Sequence, residues 1–259
     1  RYISVTGVQT CALPIFNRPQ AYNAFNDELL ESFAAHVVRL GADQSVRALV
    51  ISGEGKAFCA GGDLRWAVAY PGGASVAFRV LAAQFHLAIL DIRRMAKPVI
   101  AAVSGVAAGG GFSLALACDF RVVAKSATMR QAYTSNGLCV DGGGSFMLPR
   151  LVGLARAMEI MAFDRPIGSE QALAWGLATE VVEDGQALEA AVRMAKGLAA
   201  GSLNSFGWAK RLLTDSFDSS FETHLERERL GLSTCAAHPE GSEGLRAFCE
   251  KRKPVFTPQ

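Results

Sequence analysis

The sequence lacks the features that mark several large classes of protein. Its 26 Lys and Arg residues against 24 Asp and Glu leave a formal net charge of only +2, which provides no basic surface for nucleic acid. No apolar run reaches the roughly 18 residues of a membrane span. The longest run, residues 99–118, is interrupted by Ser104 and by four glycines. We therefore expect neither nucleic acid nor a membrane as a partner.

Paired cysteines and metal-ligand patterns are also missing. None of the six cysteines belongs to a C-x-x-C pair or has the spacing of a zinc ligand. No cluster of histidine, cysteine and carboxylate has ligand spacing either, so no metal site is expected. Scattered single cysteines are typical of a reducing compartment, and the sequence therefore predicts a cytoplasmic protein.

The first fifteen residues differ from the rest of the chain. The run from Val5 to Ile15 resembles a translated sequencing adapter fused to an open reading frame, and no secretory pattern accompanies it. We predict that residues 1–15 are non-native; a genuine strand and turn is the alternative. The chain that follows is long enough for one large domain with its own apolar core.

The middle of the chain alternates short apolar runs with longer stretches of helical spacing. This pattern is typical of βαβ units around a parallel sheet. It predicts helices at 25–40, with Asn26 as the N-cap, and at 75–95, and buried strands at 46–52, 99–103 and 120–124. From residue 151 onward helical stretches dominate. We predict an α/β core over residues 16–195 and a helical C-terminal region over residues 196–259.

Two glycine-rich loops each follow a predicted strand. The first reads AFCAGGDL over residues 57–64, and the second reads GVAAGGG over residues 105–111 and opens a helix. Such a turn presents unpaired N–H groups and the positive end of a helix dipole, which suits phosphate or an oxyanion formed during a reaction. Close packing of a helix on the sheet is the alternative role for Gly109–Gly111. Neither a P-loop nor G-x-G-x-x-G is present.

The two loops together, with the segments around them, resemble the crotonase superfamily of enoyl-CoA hydratases and isomerases. The matching segments are NRP at 17–19, KPVIAAVSG at 97–105, ACDF at 117–120, LPRLVG at 148–153 and AWGLA at 174–178. The resemblance implies an α/β fold with a ββα spiral core, a helical C-terminal trimerisation region and a homotrimer or hexamer. It also implies acyl-CoA thioester substrates, with coenzyme A as part of the substrate and no tightly bound cofactor.

The resemblance also implies roles for individual residues. Gly62 and Gly110 match the two backbone donors of the oxyanion hole. Several residues match segments that hold the adenine, pantetheine and phosphates of coenzyme A: Gln20, Ala21, Tyr22, Ala60, Asp63, Leu64, Phe248 and Lys251.

The chain departs from the hydratases of this superfamily at their two catalytic glutamates, whose positions hold Ser113 and Tyr133. Addition of water to a double bond needs two proton transfers, one from the water that attacks one carbon and one to the other carbon, so ordinary hydration is not expected. A carboxylate does occur nearby at Asp141, within GLCVDGGGS. It matches an aspartate that acts as acid, base or nucleophile in several branches, although a helix-capping role is the alternative.

His86, on the long predicted helix, matches a histidine that activates water in the dehalogenase branch; a core or surface role is the alternative.

These residues are compatible with three functions. In an isomerase, Asp141 would shuttle a proton while Tyr133 orients the acyl group or donates a hydrogen bond. In a thioester hydrolase or aroyl-CoA dehalogenase, Asp141 would be the nucleophile and His86 the base. The third is a catalytically silent coenzyme A-binding protein.

Overall fold

The computed structural model describes residues 3–8 and 10–256, with side chains from residue 10 onward. Within these residues it contains ten strands: β1 Ile3–Val8, β2 Cys11–Phe16, β3 Ala48–Gly53, β4 Ala57–Cys59, β5 Val99–Val103, β6 Val106–Ala108, β7 Phe120–Ala124, β8 Thr128–Arg130, β9 Ile167–Gly168 and β10 Glu180–Val182. The helices are α1 Asp27–Ala42, α2 Leu64–Ala69, α3 Ala74–Arg94, α4 Gly110–Ala117, α5 Gly144–Val152, α6 Leu154–Phe163, α7 Ser169–Ala174, α8 Ala187–Ala199, α9 Leu203–Asp215, α10 Phe221–Ala237 and α11 Pro239–Cys249.

The strands form two sheets that the chain visits in alternation. The larger sheet has the order β1-β2-β3-β5-β7-β10 and is parallel from β2 to β10, with β1 antiparallel at its edge. The smaller sheet has the order β4-β6-β8-β9. Three times in succession the chain places one strand in each sheet and then forms a helix. This repeat confirms the predicted α/β fold with a ββα spiral core.

Apolar side chains fill both faces of the larger sheet. On one face, α1 and α3 pack together over an aromatic cluster that includes Phe16, Phe25 and Phe85. On the other face, the alanines of α8 lie against β3 and β5. Small side chains let α8 approach the sheet closely, so the sheet is buried on both faces, as parallel sheets generally are.

The sequence patterns located the long elements well. Asn26 caps α1 by accepting a hydrogen bond from the Leu29 N–H, and β5 has the predicted bounds. In the run of residues 1–15, residues 3–8 and 11–15 lie in β1 and β2, Thr10 lies in the turn between them, and residues 1, 2 and 9 lie outside the described residues. Strand β2 pairs with β3 and lies next to the edge strand β1 of the larger sheet. The non-native origin of residues 1–15 stays a prediction.

A buried ion pair joins the helical C-terminal region to the core. The Lys210 ammonium on α9 donates to the carboxylate of Asp119 at 2.8 Å and to the Ile92 carbonyl at 2.6 Å. Burial lowers the pKa of Lys210, and the charge of Asp119 opposes this shift.

The homotrimer or hexamer expected from the sequence stays a prediction.

One helix of the described residues, α3, is long and apolar enough by length and composition to cross a membrane. Core helices pass the same test, and one face of α3 lies in the core through Ala77, Leu81, Phe85 and Ile92. Its neighbouring face, which includes Phe78 and Ala82, lines the cavity described next.

Candidate active site

A cavity of about 260 Å³ lies between α3, the two glycine-rich loops and the loop before α5. Its wall is mainly apolar, and the carboxylate of Asp141 and the hydroxyl of Tyr133 are exceptions. The lining residues are Phe25, Leu30, Gly62, Phe78, Leu81, Ala82, Phe85, Gly110, Tyr133, Leu138, Cys139 and Asp141. The structure thus brings four of the five predicted catalytic residues to one cavity, and the fifth, His86, lies beside Asp141.

The two glycine-rich loops touch each other through positions that have no side chain. Gly61 has φ +88°, and a Cβ atom there would lie 2.9 Å from the amide nitrogen of Gly110 and 2.8 Å from the carbonyl oxygen of Ala108. A side chain at Gly61 would therefore push the loops apart. Glycine at this position sets the distance between the loops that present Gly62 and Gly110.

The backbone on both sides of Gly62 is held by Phe25. The Phe25 N–H donates to the Gly61 carbonyl at 2.7 Å, and the Asp63 N–H donates to the Phe25 carbonyl at 2.9 Å. Within residues 10–256, neither the Gly62 amide nor the Gly110 amide donates to another protein group. Gly110 is the first residue of α4, where an amide has no partner inside the helix. Both donors are therefore available to a ligand in the cavity.

Asp141 receives a hydrogen bond from a buried tyrosine. The Tyr133 hydroxyl donates to Oδ1 of Asp141 at 2.6 Å and also lies 3.1 Å from Oγ of Ser113. Burial raises the pKa of Tyr133 well above its ordinary value, and the charge of Asp141 raises it further. The phenol therefore keeps its proton and acts as a donor to Asp141.

Asp141 does not act as a helix cap. The residue before α5 is Gly143, and no side chain caps that helix. The carboxylate of Asp141 is about one-third exposed, and its second oxygen, Oδ2, lies 3.8 Å from Nε2 of His86. This arrangement contradicts the capping interpretation, and no hydrogen bond between described residues engages Oδ2.

His86 is fixed by the loop that carries Asp141. The Gly142 N–H donates to Nε2 of His86 at 3.2 Å. A neutral imidazole has one nitrogen with a free lone pair, and this hydrogen bond occupies it. In a neutral ring, this bond places the proton on Nδ1, a tautomer inferred from the hydrogen bond.

The residues predicted to bind coenzyme A fall into two groups. Gln20 and Ala21 lie in a single 3₁₀ turn, next to Tyr22, whose carbonyl accepts from the Ala60 N–H at 3.0 Å. Tyr22 and Leu64 are exposed beside the first glycine-rich loop.

The second group lies at the end of α11. Phe248 is 83% exposed, Lys251 is also exposed, and α11 packs mainly against α10. No hydrogen bond or ion pair recorded within residues 10–256 joins Phe248 or Lys251 to the cavity. Their predicted role, like that of the first group, stays a prediction.

Sequence reasoning missed two features of this site. The cavity-lining side chains of α3 at Phe78, Leu81, Ala82 and Phe85 follow the i, i+3, i+4, i+7 spacing of one helix face, so this signal was available. The second is Arg18, whose guanidinium lies 2.7 Å from the Asp63 carboxylate. Arg18 belongs to the NRP segment, but the sequence does not reveal its partner.

Comparison with known proteins identifies the family. The family model described as enoyl-CoA hydratase/isomerase matches residues 8–259. The chain belongs to the enoyl-CoA hydratase/isomerase family. The family acts on acyl-CoA thioesters, so this result confirms the predicted crotonase membership and the predicted class of substrate.

The chain is similar to family members with different reactions. It is 35% identical to a 1,2-epoxyphenylacetyl-CoA isomerase of Escherichia coli, over 97% of this chain and 95% of that protein. It is 34% identical to a 4-chlorobenzoyl coenzyme A dehalogenase of an Arthrobacter species, over 96% and 91% of the two chains.

Solved structures give the same family. A crystal structure of an enoyl-CoA hydratase from Polaromonas sp. JS666 matches with a TM-score of 0.93 and 35% identity, over 98% of this chain and 99% of that one.

The described residues contain no group of three or more His, Cys, Asp or Glu side chains arranged to hold a metal ion.

Proposed function

We propose that this protein is an acyl-CoA isomerase that shifts a double bond or rearranges a ring through an enolate, with Asp141 as the acid and base. One observation carries the proposal: the Asp141 carboxylate lines the same apolar cavity as Gly62 and Gly110. An acid/base group and two unpaired amides in one cavity are the parts that a proton shift next to a thioester requires.

The proposed reaction has two proton transfers and one anionic intermediate. The thioester oxygen accepts hydrogen bonds from the Gly62 and Gly110 amides while Asp141 removes a proton from the α or γ carbon. Each amide stabilises the enolate oxygen more than the neutral carbonyl, and loss of one such donor costs about 3 kcal/mol. Asp141 then returns the proton to a different carbon. Coenzyme A takes part only as a portion of the substrate.

Isomerisation needs only one carboxylate because it adds no water. Ser113 and Tyr133, at the glutamate positions of the hydratases, supply no carboxylate, and Ser113 is fully buried. The apolar wall favours the same function, since it limits access of water to the enolate and strengthens the hydrogen bonds to it.

A second candidate is hydrolytic chemistry with Asp141 as nucleophile and His86 as base. The 3.8 Å separation of Nε2 of His86 and Oδ2 of Asp141 supports it. The Gly142 N–H opposes it, because it occupies the lone pair with which His86 would accept a proton from water. Isomerisation requires no such rearrangement, and we therefore favour it.

Exchange of substrate protons in heavy water tests the proposal. The chain is incubated with 3-enoyl-, 2-enoyl- and arylacetyl-CoA thioesters, and deuterium incorporation and product are followed by NMR and mass spectrometry. We expect exchange and isomerisation with the wild type, a loss of at least about 100-fold in Asp141→Asn and little change in His86→Gln. Equal exchange in the wild type and Asp141→Asn would refute the role of Asp141.

The competing functions give different results in the same experiment. A single turnover in heavy-oxygen water that labels the Asp141 carboxylate, and that requires His86, would establish the hydrolytic candidate. Binding of the thioesters without exchange, isomerisation or hydrolysis would instead identify a catalytically silent member. Hydration of crotonyl-CoA at an enzymatic rate would overturn the argument from Ser113 and Tyr133.

A further inference from the structure

Three side chains from separate parts of the sequence form a chain of hydrogen bonds that ends at Asp141. Ser113 lies on α4, Tyr133 follows β8, and Asp141 lies in the loop before α5. Oγ of Ser113 lies 3.1 Å from the Tyr133 hydroxyl, which lies 2.6 Å from Oδ1 of Asp141.

The hydrogen atoms in this chain have only one consistent direction. A phenol has a single hydrogen, and the pKa of Tyr133, raised by burial and then by the charge of Asp141, keeps that hydrogen in place. The phenol hydrogen points to Oδ1 of Asp141, which accepts it. The Ser113 hydroxyl must then donate its own hydrogen to the Tyr133 oxygen.

Ser113 uses a different hydrogen-bond partner from the one that many helical serines use. Buried helical serines commonly donate back to the carbonyl four residues earlier, which is that of Gly109. The hydroxyl of Ser113 contacts Tyr133 instead, and it is the only hydrogen-bond partner recorded for this side chain in the part of the chain that the structure describes. Simple satisfaction of a buried hydroxyl would not require the tyrosine.

The surrounding backbone closes tightly on Ser113. A Cβ atom on Gly144 would lie 2.7 Å from Oγ of Ser113, so the first residue of α5 packs directly against the hydroxyl. Ser113 is also three residues from Gly110 on the same helix, α4. One rigid element therefore carries both an oxyanion donor and the first member of the hydrogen-bond chain to Asp141.

We infer that Ser113 is a positioning residue that acts through Tyr133 to hold Asp141 with Oδ1 engaged and Oδ2 facing the substrate. The inference rests on the proposed function of Asp141 as acid and base. A hydroxyl whose oxygen accepts a hydrogen bond donates its own hydrogen more strongly. The Ser113 hydroxyl, by donating to the Tyr133 oxygen, therefore strengthens the hydrogen bond from Tyr133 to Asp141. The two positions that hold catalytic glutamates in hydratases thus orient the carboxylate that replaces them.

NMR of the tyrosines tests the hydrogen-bond chain without any substrate. The protein has four tyrosines, so isotope labelling of the ring carbon that bears the hydroxyl gives few signals, and Tyr133→Phe identifies one of them. We expect that signal to move in Ser113→Ala and in Asp141→Asn. The matched control is Ser169→Ala, which removes another buried serine hydroxyl, one that donates to the Lys125 carbonyl, and it should leave the signal in place.

Kinetics then test the positioning role. In Ser113→Ala we expect kcat to fall about tenfold with KM changed less than about twofold, as for a misoriented acid/base group. Ser113→Cys, which keeps a weaker donor, should fall between the alanine variant and the wild type. In the Tyr133→Phe background, Ser113→Ala should have no further effect on kcat, because the tyrosine transmits it.

The outcomes separate this inference from the proposed function. An unmoved Tyr133 signal in Ser113→Ala overturns the inference, even if Asp141→Asn abolishes isomerisation. A moved signal with unchanged kcat in an active enzyme also overturns it, because the hydroxyl is then only structural. If the wild type is inactive on every thioester while the signal moves, the proposed function fails and the positioning role of Ser113 falls with it, whereas the hydrogen-bond chain itself stands.

Discussion

The guanidinium of Arg18 lies 2.7 Å from the carboxylate of Asp63, and both side chains are more than four-fifths buried. Asp63 also accepts hydrogen bonds from the amides of Arg65 and Trp66, so it caps α2. Burial alone would raise the pKa of Asp63, but the Trp66 amide and Arg18 hold it below its usual value. The ion pair therefore fixes the residue that directly follows Gly62.

Loss of the ion pair between Arg18 and Asp63 should lower kcat more than it weakens substrate binding. We expect Arg18→Met to lower kcat by about tenfold, because a small displacement of an oxyanion donor weakens stabilisation of the transition state. Steady-state kinetics with the thioester that the wild type isomerises in the heavy-water experiment measure this effect. Arg65→Met, which changes a neighbouring exposed arginine, is the control and should behave as the wild type. Equal kcat values in the two variants would contradict a positioning role for Arg18.

Two glycines with similar backbone angles should respond differently to alanine. Gly142 has φ +60° and Gly137 has φ +67°, so alanine at either position costs about 1 kcal/mol of unfolding free energy. A Cβ atom on Gly142 would also clash with the ring of Phe85, whereas one on Gly137 would meet no atom within 4 Å.

We expect Gly142→Ala to displace the loop of Asp141 and to reduce kcat at least about tenfold. Gly137→Ala should keep near wild-type kcat. Urea unfolding and kinetics of both variants provide the comparison, and similar activity losses in the two would show that backbone strain, not the contact with Phe85, is responsible.

Removal of the buried ammonium of Lys210 should destabilise the whole domain. In Lys210→Met the buried carboxylate of Asp119 loses its ammonium partner. Breaking a buried ion pair in this way costs about 3–5 kcal/mol of unfolding free energy. The double variant Lys210→Met/Asp119→Asn should lose less than the sum of the single changes. Urea unfolding measures the free energies, with exposed Lys196→Met as the control. A loss below about 1 kcal/mol in Lys210→Met would contradict this prediction.

The raised pKa of Tyr133 predicts how stability falls at alkaline pH. The phenol ionises near pH 10 in the unfolded chain but resists ionisation in the fold, first because it is buried and then because Asp141 is nearby. The folded pKa is the higher one, so this contribution to stability is present below about pH 10 and is lost above it.

The free energy of unfolding should therefore decline more steeply between about pH 9.5 and 11 in the wild type than in Tyr133→Phe. Urea titrations at several pH values measure both slopes. Parallel slopes would mean that the phenol ionises equally in the folded and unfolded states.

The long elements were predictable because each carries a complete periodic pattern. Helix α3 repeats its apolar spacing over six turns, and β5 is an uninterrupted apolar run ended by Ser104. Strands β4, β6 and β8 have three residues each, too few to show a period, and they form only because neighbouring strands pair with them. The second sheet was therefore not visible in the sequence pattern.

The site shows the same division between local and tertiary information. The segments around Gly62 and Gly110 could be placed because each is a contiguous motif, and Asp141 because its loop is glycine-rich. The bond from Ser113 to Tyr133 and the ion pair between Arg18 and Asp63 join residues that are 20 and 45 positions apart. Such contacts depend on how the spiral stacks its turns, and no local pattern specifies them.

The contact between the two glycine-rich loops has a consequence for engineering. Because the candidate oxyanion donors are main-chain amides, every substitution except proline leaves the N–H groups themselves in the chain, and the scaffold can be kept while the reaction is redesigned. A designer could introduce a carboxylate at Tyr133, or move the one at Asp141, because both residues line the cavity, without changing the amides of Gly62 and Gly110. Gly61 should not be substituted, since any side chain there would separate the loops that present Gly62 and Gly110.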